Sequence, residues 1–418
     1  MKEFIQPTKL WNRNFVLLLQ GHAVSVFGDV LYSISIGFWV FEKTGSTALM
    51  GVMSSISMFV MMFLNPFAGA IVDRSDRKKI IVGMDFLRGL LMIGVGYFAI
   101  QGNLGIEMVL VTAFVAAFCG VFFGPATMTV FVDLVPNSEL VRAQSLSSGT
   151  NNLIGLLGKG VSGALLAFFG IGPMIVINGI SFLFSAFTEL FIHIPEGVKQ
   201  GQPISVKHVL DDVVQGAKDT IATPGLNALI LGALAANFFG SGYMSLLIPL
   251  SVQKGLSTTE FGFFVAAGSL AAVLAMLLLG VVKIPAKHKM KLFVGAFTLQ
   301  TAILIVGFMG RGFPWLTSTF FVSDFLNVIG NALLNATMIL AIPRDKRATV
   351  IGFVSSFSIA GVALSTLGYG FLAEVFDLSV ISIIGQILAY FAILPVFLDK
   401  GIAKMMTAEE EPITQPTT

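Results

Sequence analysis

Long apolar runs separated by short polar breaks fill most of the chain. Runs of about 20 residues, enough for a helix to cross a bilayer, recur at 15–41, 48–72, 80–100, 107–132, 144–169, 172–193, 225–252, 260–282, 290–310, 314–341, 348–376 and 378–398. They lack the short alternation of barrel strands, so helices are the expected spanning form. The longest polar break, 194–224, holds Pro195, Pro203, Pro224 and the Asp211-Asp212 pair. The expected fold is therefore an all-α polytopic membrane protein: twelve transmembrane helices in two six-helix bundles, 1–193 and 225–400. A linker over 194–224 joins them, and the Thr/Pro/Glu-rich stretch 401–418 reads as a disordered tail.

Composition agrees with this pattern. Only 11% of the 418 residues are charged and 55% are hydrophobic, with mean hydropathy +0.88; soluble domains carry about 25% charged residues. A net charge of +2 gives no argument for a nucleic-acid partner. The lone Cys119 excludes an intramolecular disulfide, and the four histidines have no metal-ligand spacing. No cofactor is implied, and no nucleophile–base set argues for an enzyme. The first span is too long for a signal-peptide core and is expected to stay as an anchor. Twenty of the 25 Lys and Arg fall on one side of the spans, against Lys43, Lys254 and Arg311 on the other. With an even number of spans, this bias places both termini in the cytoplasm of a plasma-membrane protein.

The chain also resembles itself. Shifted by about 211 positions, Lys43, Ser46, Thr47, Gly51, Gly69 and Lys78 meet Lys254, Ser257, Thr258, Gly262, Gly280 and Lys289. Two halves in the same orientation imply a pseudo-two-fold axis along the membrane normal, with a site between them near the midplane. That arrangement points to transport by alternating access.

Between spans 2 and 3 lies Gly69-Ala-Ile-Val-Asp73-Arg74-Ser75-Asp76-Arg77-Lys78-Lys79. It resembles the loop signature of the major facilitator superfamily, Gly-x-x-x-Asp-Arg-x-Gly-Arg-Lys/Arg-Lys/Arg, with Asp76 in place of the usual glycine. A gate role suits these residues. Gly69 permits close helix approach, Asp73 pairs or caps across the interface, and Arg74, Arg77 and Lys78 anchor to anionic membrane lipid. The second-half counterpart carries Ile284 instead of the aspartate. Within the superfamily, Gly28-Asp29, the Glu42–Ser46 stretch, Asp85-x-x-Arg88, Gly124-Pro125-Ala126 and the stretch Leu134–Ala143 resemble the macrolide-efflux and enterobactin-exporter branch. The resemblance implies proton-driven export of amphiphilic small molecules. Two departures bear on coupling: span 4 has Ala116-Ala117 where many drug–proton antiporters carry arginine, and the Gly-rich run of span 5 has Lys159 where proline is usual.

Charges at bilayer depth cost roughly 2.5–3.5 kcal/mol each on the mildest scale, so each needs a partner or a wet cavity. Asp29 shares one helical face with His22, Ser25 and Tyr32. Lys159 sits near the middle of span 5, and the two are expected to share the N-half cavity, as a coupling pair or as a permanent structural one. Asp324 leads a stripe with Asn327, Asn331 and Asn335, either interhelical glue or a cavity face. Asp29, Lys159 and Asp324 are thus the candidate proton-coupling groups. Asp85 and Arg88 are expected to pair with each other or with the Asp73 loop and to belong to the gate, with Asp133 as a further partner. His22, Tyr32, Phe123, Asn237, Tyr243, Asn327 and Asn331 are the candidate substrate contacts, in a cavity suited to bulky amphiphiles or cations.

The leading expectation is a monomeric proton antiporter for drug-, macrolide- or siderophore-like amphiphiles. A uniporter or lipid-type translocator with structural charges stands beside it, as does a non-transporting receptor on the same fold.

Overall fold

The computed structural model describes residues 9–72, 74–193, 226–282, 284–341, 347–398 and 402. Asp73, the 194–224 break and, Ile402 apart, the tail lie outside the described residues. The helices are α1 (Arg13–Thr44), α2 (Thr47–Val72), α3 (Arg77–Ile100), α4 (Ile106–Asp133), α5 (Leu140–Phe169) and α6 (Ile171–Leu190). In the second half they are α7a (Leu226–Gly240), α7b (Leu247–Gln253), α8 (Thr258–Val281), α9 (Ala286–Met309), α10 (Phe313–Ala341), α11 (Arg347–Leu372) and α12 (Leu378–Leu398). Among the described residues, ten helical segments are long and apolar enough to cross a membrane, and α11 adds the apolar stretch Phe357–Leu372. α10 has the length but is diluted by Asp324, Asn327, Asn331 and Asn335. The two sets of six match the expected fold class.

Local chemistry sets the helix ends. The Asn12 side chain accepts from the Phe15 N–H at 3.0 Å and donates to the Leu134 carbonyl at 2.8 Å, capping α1 and tying it to the end of α4. Gly45, at φ 64°, closes α1 by donating to the Phe41 carbonyl at 2.7 Å. Asp76, where the family signature has glycine, caps α3 by accepting from the Lys79 N–H at 3.2 Å.

The seventh span is not continuous, as its apolar run suggested. A 3-10 turn, Gly242–Leu246, interrupts it. The freed backbone is satisfied by side chains: the Tyr369 hydroxyl donates to the Phe239 carbonyl at 2.6 Å, and the Gln386 amide donates to the Gly240 carbonyl at 2.8 Å. Gly242 lies against the Tyr369 ring, where a β-carbon would also meet Ser365 Oγ at 2.8 Å.

The halves meet at the face opposite the basic loops. α2 packs on α11 and α5 on α8, two interfaces related by the sequence repeat. A β-carbon on Gly51 would stand 2.9 Å from the Thr366 carbonyl oxygen and 3.1 Å from Gly370 Cα. One on its repeat partner Gly262 would stand 2.9 Å from the Lys159 carbonyl oxygen and 3.2 Å from Gly163 N. Phe38 of α1 meets Phe261 of α8 edge-on at 5.0 Å, within an apolar cluster drawn from both halves. Toward the basic face the pattern reverses: a β-carbon on Gly69 or on its partner Gly280 would meet no described residue within 4 Å. The close approach expected at Gly69 is therefore not made by any described residue.

Candidate functional site

Three clusters occupy the interior. The first lies within the N-half. Arg88 pairs with Asp85 one turn earlier on α3, and both are buried. The guanidinium carbon lies 4.7 Å from the Phe123 ring centroid of α4 and 4.4 Å from that of Phe182 on α6, two cation–π contacts in a buried site. Glu189 of α6 is 1% exposed and accepts from Ser185 Oγ at 3.4 Å. Asp29 accepts from Asn178 Nδ2 at 3.2 Å, and the cation whose charge it feels is Arg88. The guanidinium pairs with Asp85 alone, and its charge also acts on Asp29 and Glu189. Glu189 Oε2, Asp85 Oδ2 and Arg88 Nε find no hydrogen-bond partner among the described residues. Burial this complete leaves their electrostatics unscreened by water. Beside them, His22 stacks on Phe123 with centroids 6.5 Å apart, and its Nε2 lies 3.3 Å from Asn151 Nδ2. His22, Phe123 and Asn151 border a cavity of about 240 Å³ toward the basic face.

The second cluster crosses between the halves. Lys159 does not share a cavity with Asp29. Its ammonium donates to Ser269 Oγ of α8 at 2.9 Å, and the acid facing it electrostatically is Asp324 of α10. The expected Asp29–Lys159 pair is replaced by Asp29 toward Arg88 and Lys159 toward Asp324. The cause is helix rotation: α5 turns Lys159 onto the α8 interface, where Gly268 leaves room for the Asp324 carboxylate. Lys159, Asp324, Tyr243 and Asn327 line a cavity of about 290 Å³, adjoining another of about 260 Å³ between α1, α2, α7b and α8.

The third cluster is in the C-half. Asn237, Asn327 and Asn331 line a cavity of about 230 Å³ with Gln300 and Gln386. Asn331 Nδ2 donates to the carbonyl and to the side-chain oxygen of Asn327, both at 3.0 Å. Tyr243 edges this cavity while packing against Phe308 and Phe320.

The gate residues divide. Arg77 pairs with Asp133 at 3.0 Å, fixing the start of α3 to the end of α4, and Lys79 pairs with Asp76 at 3.5 Å. Arg74 and Lys78 lie beside them, partly exposed. Asp85 and Arg88 pair with each other, as one of the two expectations had it. They sit inside the N-half bundle against α4 and α6 rather than at the loop. Tyr32 packs in the apolar core.

At the far face Glu374, just beyond α11, holds the start of α2. It accepts from Ser46 Oγ at 2.7 Å, the Ala48 N–H at 2.9 Å and Thr47 Oγ1 at 3.4 Å. Thr47 Oγ1 also donates to the Gly370 carbonyl at 2.9 Å. In the repeat, Ser257 caps α8 with its own Glu260 in a capping box. Position 49 of α2, the counterpart of 260, is Leu, and the acid comes from the other half instead.

Sequence reasoning passed over Glu189, Gln300, Gln386 and Glu374. A lone acid near the end of an apolar run was the available signal for Glu189. Nothing in the sequence pairs Glu374 with residues 46–48.

The family model described as Major Facilitator Superfamily matches residues 18–366. Macrolide efflux protein A of Streptococcus pyogenes is 24% identical over 251 residues, 60% of this chain and 60% of that protein. The match thus spans somewhat under two thirds of that relative's length. Multidrug efflux pump Tap of Mycolicibacterium fortuitum is 23% identical over 366 residues, 86% of this chain and 89% of that protein. The putative bacilysin exporter BacE of Bacillus subtilis is 27% identical over 53% of each chain. Among solved structures, a bacterial homolog of the human lysosomal transporter Spinster superposes with TM-score 0.67 at 14% identity, covering 94% of this chain and 95% of that one. The nucleoside transporter NupG gives 0.66 at 14% identity over 94% and 99%.

Proposed function

The chain belongs to the Major Facilitator Superfamily, and from that premise we propose that it exports amphiphilic small molecules across the plasma membrane, with inward proton movement as the drive. The observation that carries this reading is the unequal contact between the halves. The repeat-matched pair Gly51 and Gly262 is jammed against the other half at one face, while no described residue packs on Gly69 or Gly280 toward the other. Alternating access needs such a reversible asymmetry around a central site. The Lys/Arg bias makes the basic face cytoplasmic, so this is the inward-open state that loads substrate for export. The efflux proteins among the relatives support the direction of transport.

Coupling runs through the buried charges. Lys159 reaches from the N-half to Ser269 and toward Asp324 in the C-half. Opening of the outer face separates α5 from α8, breaks that contact and changes the charge each group faces. Asp29, with Asp85 and Glu189 around the single Arg88, gives the N-half carboxylates on which protons ride. Each proton brings about 2.3 kcal/mol per 100 mV of membrane potential. The gate loop holds the N-half to anionic lipid through Lys78 and Lys79.

Proteoliposomes under an imposed pH gradient, loaded with a panel of amphiphilic dyes and macrolides, test this. Gradient-driven movement is expected in wild type and is lost in Asp29→Asn and Asp324→Asn. Transport indifferent to both the gradient and the two substitutions would make the buried charges structural and the protein a uniporter.

A further inference from the structure

We propose that the C-half cavity between α7a, α9, α10 and α12 binds the uncharged, hydroxyl-rich part of the transported amphiphile, a vicinal diol of the sugar type. This rests on the transport reading and names the substrate class of the same central site. The cavity is lined by Asn237, Gln300, Thr301, Asn327, Asn331 and Gln386 among others, and none of the described residues lining it is charged. An acidic or basic ligand group would find no counter-charge there.

Hydrogen-bond accounting separates the amides. Asn331 spends its N–H₂ on Asn327, and Gln386 spends its own on the Gly240 carbonyl at 2.8 Å, which leaves their amide oxygens as acceptors. The side chains of Asn237, Gln300 and Thr301 make no hydrogen bond to any described residue. Gln300 is only 8% exposed. Asn237 is exposed and Thr301 half-buried, and none of the three has a fully buried unpartnered polar atom, so these groups stand open to a ligand in the cavity. Helix glue would have paired them with one another. Free amides offer donor and acceptor side by side, the complement of adjacent hydroxyls that each donate and accept.

Size and position agree. At about 230 Å³ the cavity is below the ~300–1,000 Å³ of sites that enclose whole drug-sized ligands, so it takes a ring-sized part. It shares Tyr243, Met244 and Asn327 with the cavity of Lys159 and Asp324. A substrate laid across both places its neutral polar end among the amides and its ionic centre between the halves.

The test measures calorimetric binding to the full chain in lipid nanodiscs, with phenyl β-glucoside against its tetra-O-methyl derivative. Wild type should prefer the free glucoside by about tenfold, the worth of one or two hydrogen bonds. Gln300→Leu and Gln300→Met should cut the preference to about threefold or less, the loss of one hydrogen bond, while leaving the affinity of the O-methyl form and the thermal midpoint unchanged. Equal binding of the two probes by wild type would overturn the proposal. Undiminished preference in both variants would likewise overturn it and make the amides structural. Preference for the glucoside in a protein that moves no solute in proteoliposomes would retire the transport reading alone.

Discussion

Removing the Glu374 carboxylate should loosen the outer seal selectively. Glu374 sits at the N-terminus of α2 but belongs to the other half, so its bonds to Ser46, Thr47 and Ala48 exist only while α2 and α11 are together. A side-chain cap is worth about 1 kcal/mol, and a carboxylate at a helix N-terminus adds about 0.3–1 kcal/mol. Glu374 is exposed, which favours the low end of both figures. Glu374→Ala should therefore cost the sealed form about 1–1.5 kcal/mol, a shift of roughly five- to tenfold toward the outward-open form. Glu374→Gln keeps an acceptor for Ala48 and should lose about half of that.

Spin labels at Asn103→Cys and Val375→Cys, on the outer loops in a Cys119→Ala background, read the opening as a distance distribution. The Ala48 N–H, followed by the Ser46 hydroxyl, holds the Glu374 carboxyl below its ordinary value in the sealed form. Its contribution is then complete above the ordinary glutamate pKa, about 4.3, and is lost as pH falls through the depressed value. The sealed population in wild type should hold from pH 8 down to about 4.3 and fall only below that, by up to the same five- to tenfold, a transition that Glu374→Gln lacks. Glu260→Gln, which removes only the within-helix capping partner of α8, serves as the control and should leave the distances alone. Unchanged distance distributions in Glu374→Ala would refute the reasoning outright.

Two further outcomes are expected. Gly51→Val or Gly262→Val places side-chain atoms against backbone of the opposite half and should prevent outer closure, whereas Gly69→Ala and Gly280→Ala should fold and seal as wild type; the same spin-label distances report both. Arg88→Met strands Asp85 and Glu189 without their cation and should destabilise the protein by about 3–5 kcal/mol, seen as a large fall in thermal midpoint in detergent. Arg88→Lys should recover only part of this, because the flat guanidinium also lies over Phe123 and Phe182.

The sequence alone determined the helical spans, the division into two sets of six, the repeat and the polar character of α1 and α10. Crossing a bilayer demands a contiguous apolar length, and that demand is written residue by residue. Even the repeat was legible at its joints: Gly51 and Gly262, matched by position alone, turn out to be equivalent contacts between the halves. Partnerships between helices were decided by the tertiary structure. Asp29 and Lys159 each needed a counter-charge, and the sequence offered each to the other. Which face of α5 meets α8, and which of α3 meets α6, is set by packing summed over whole helices. That packing gives Arg88 to Asp29 and Asp324 to Lys159. The break in the seventh span was hidden for the same reason. An apolar run reads as one helix until Tyr369 and Gln386, more than 120 residues further on, supply the hydrogen bonds that let it stop. Sequence specifies what a segment must bury, and only the assembled bundle specifies against what.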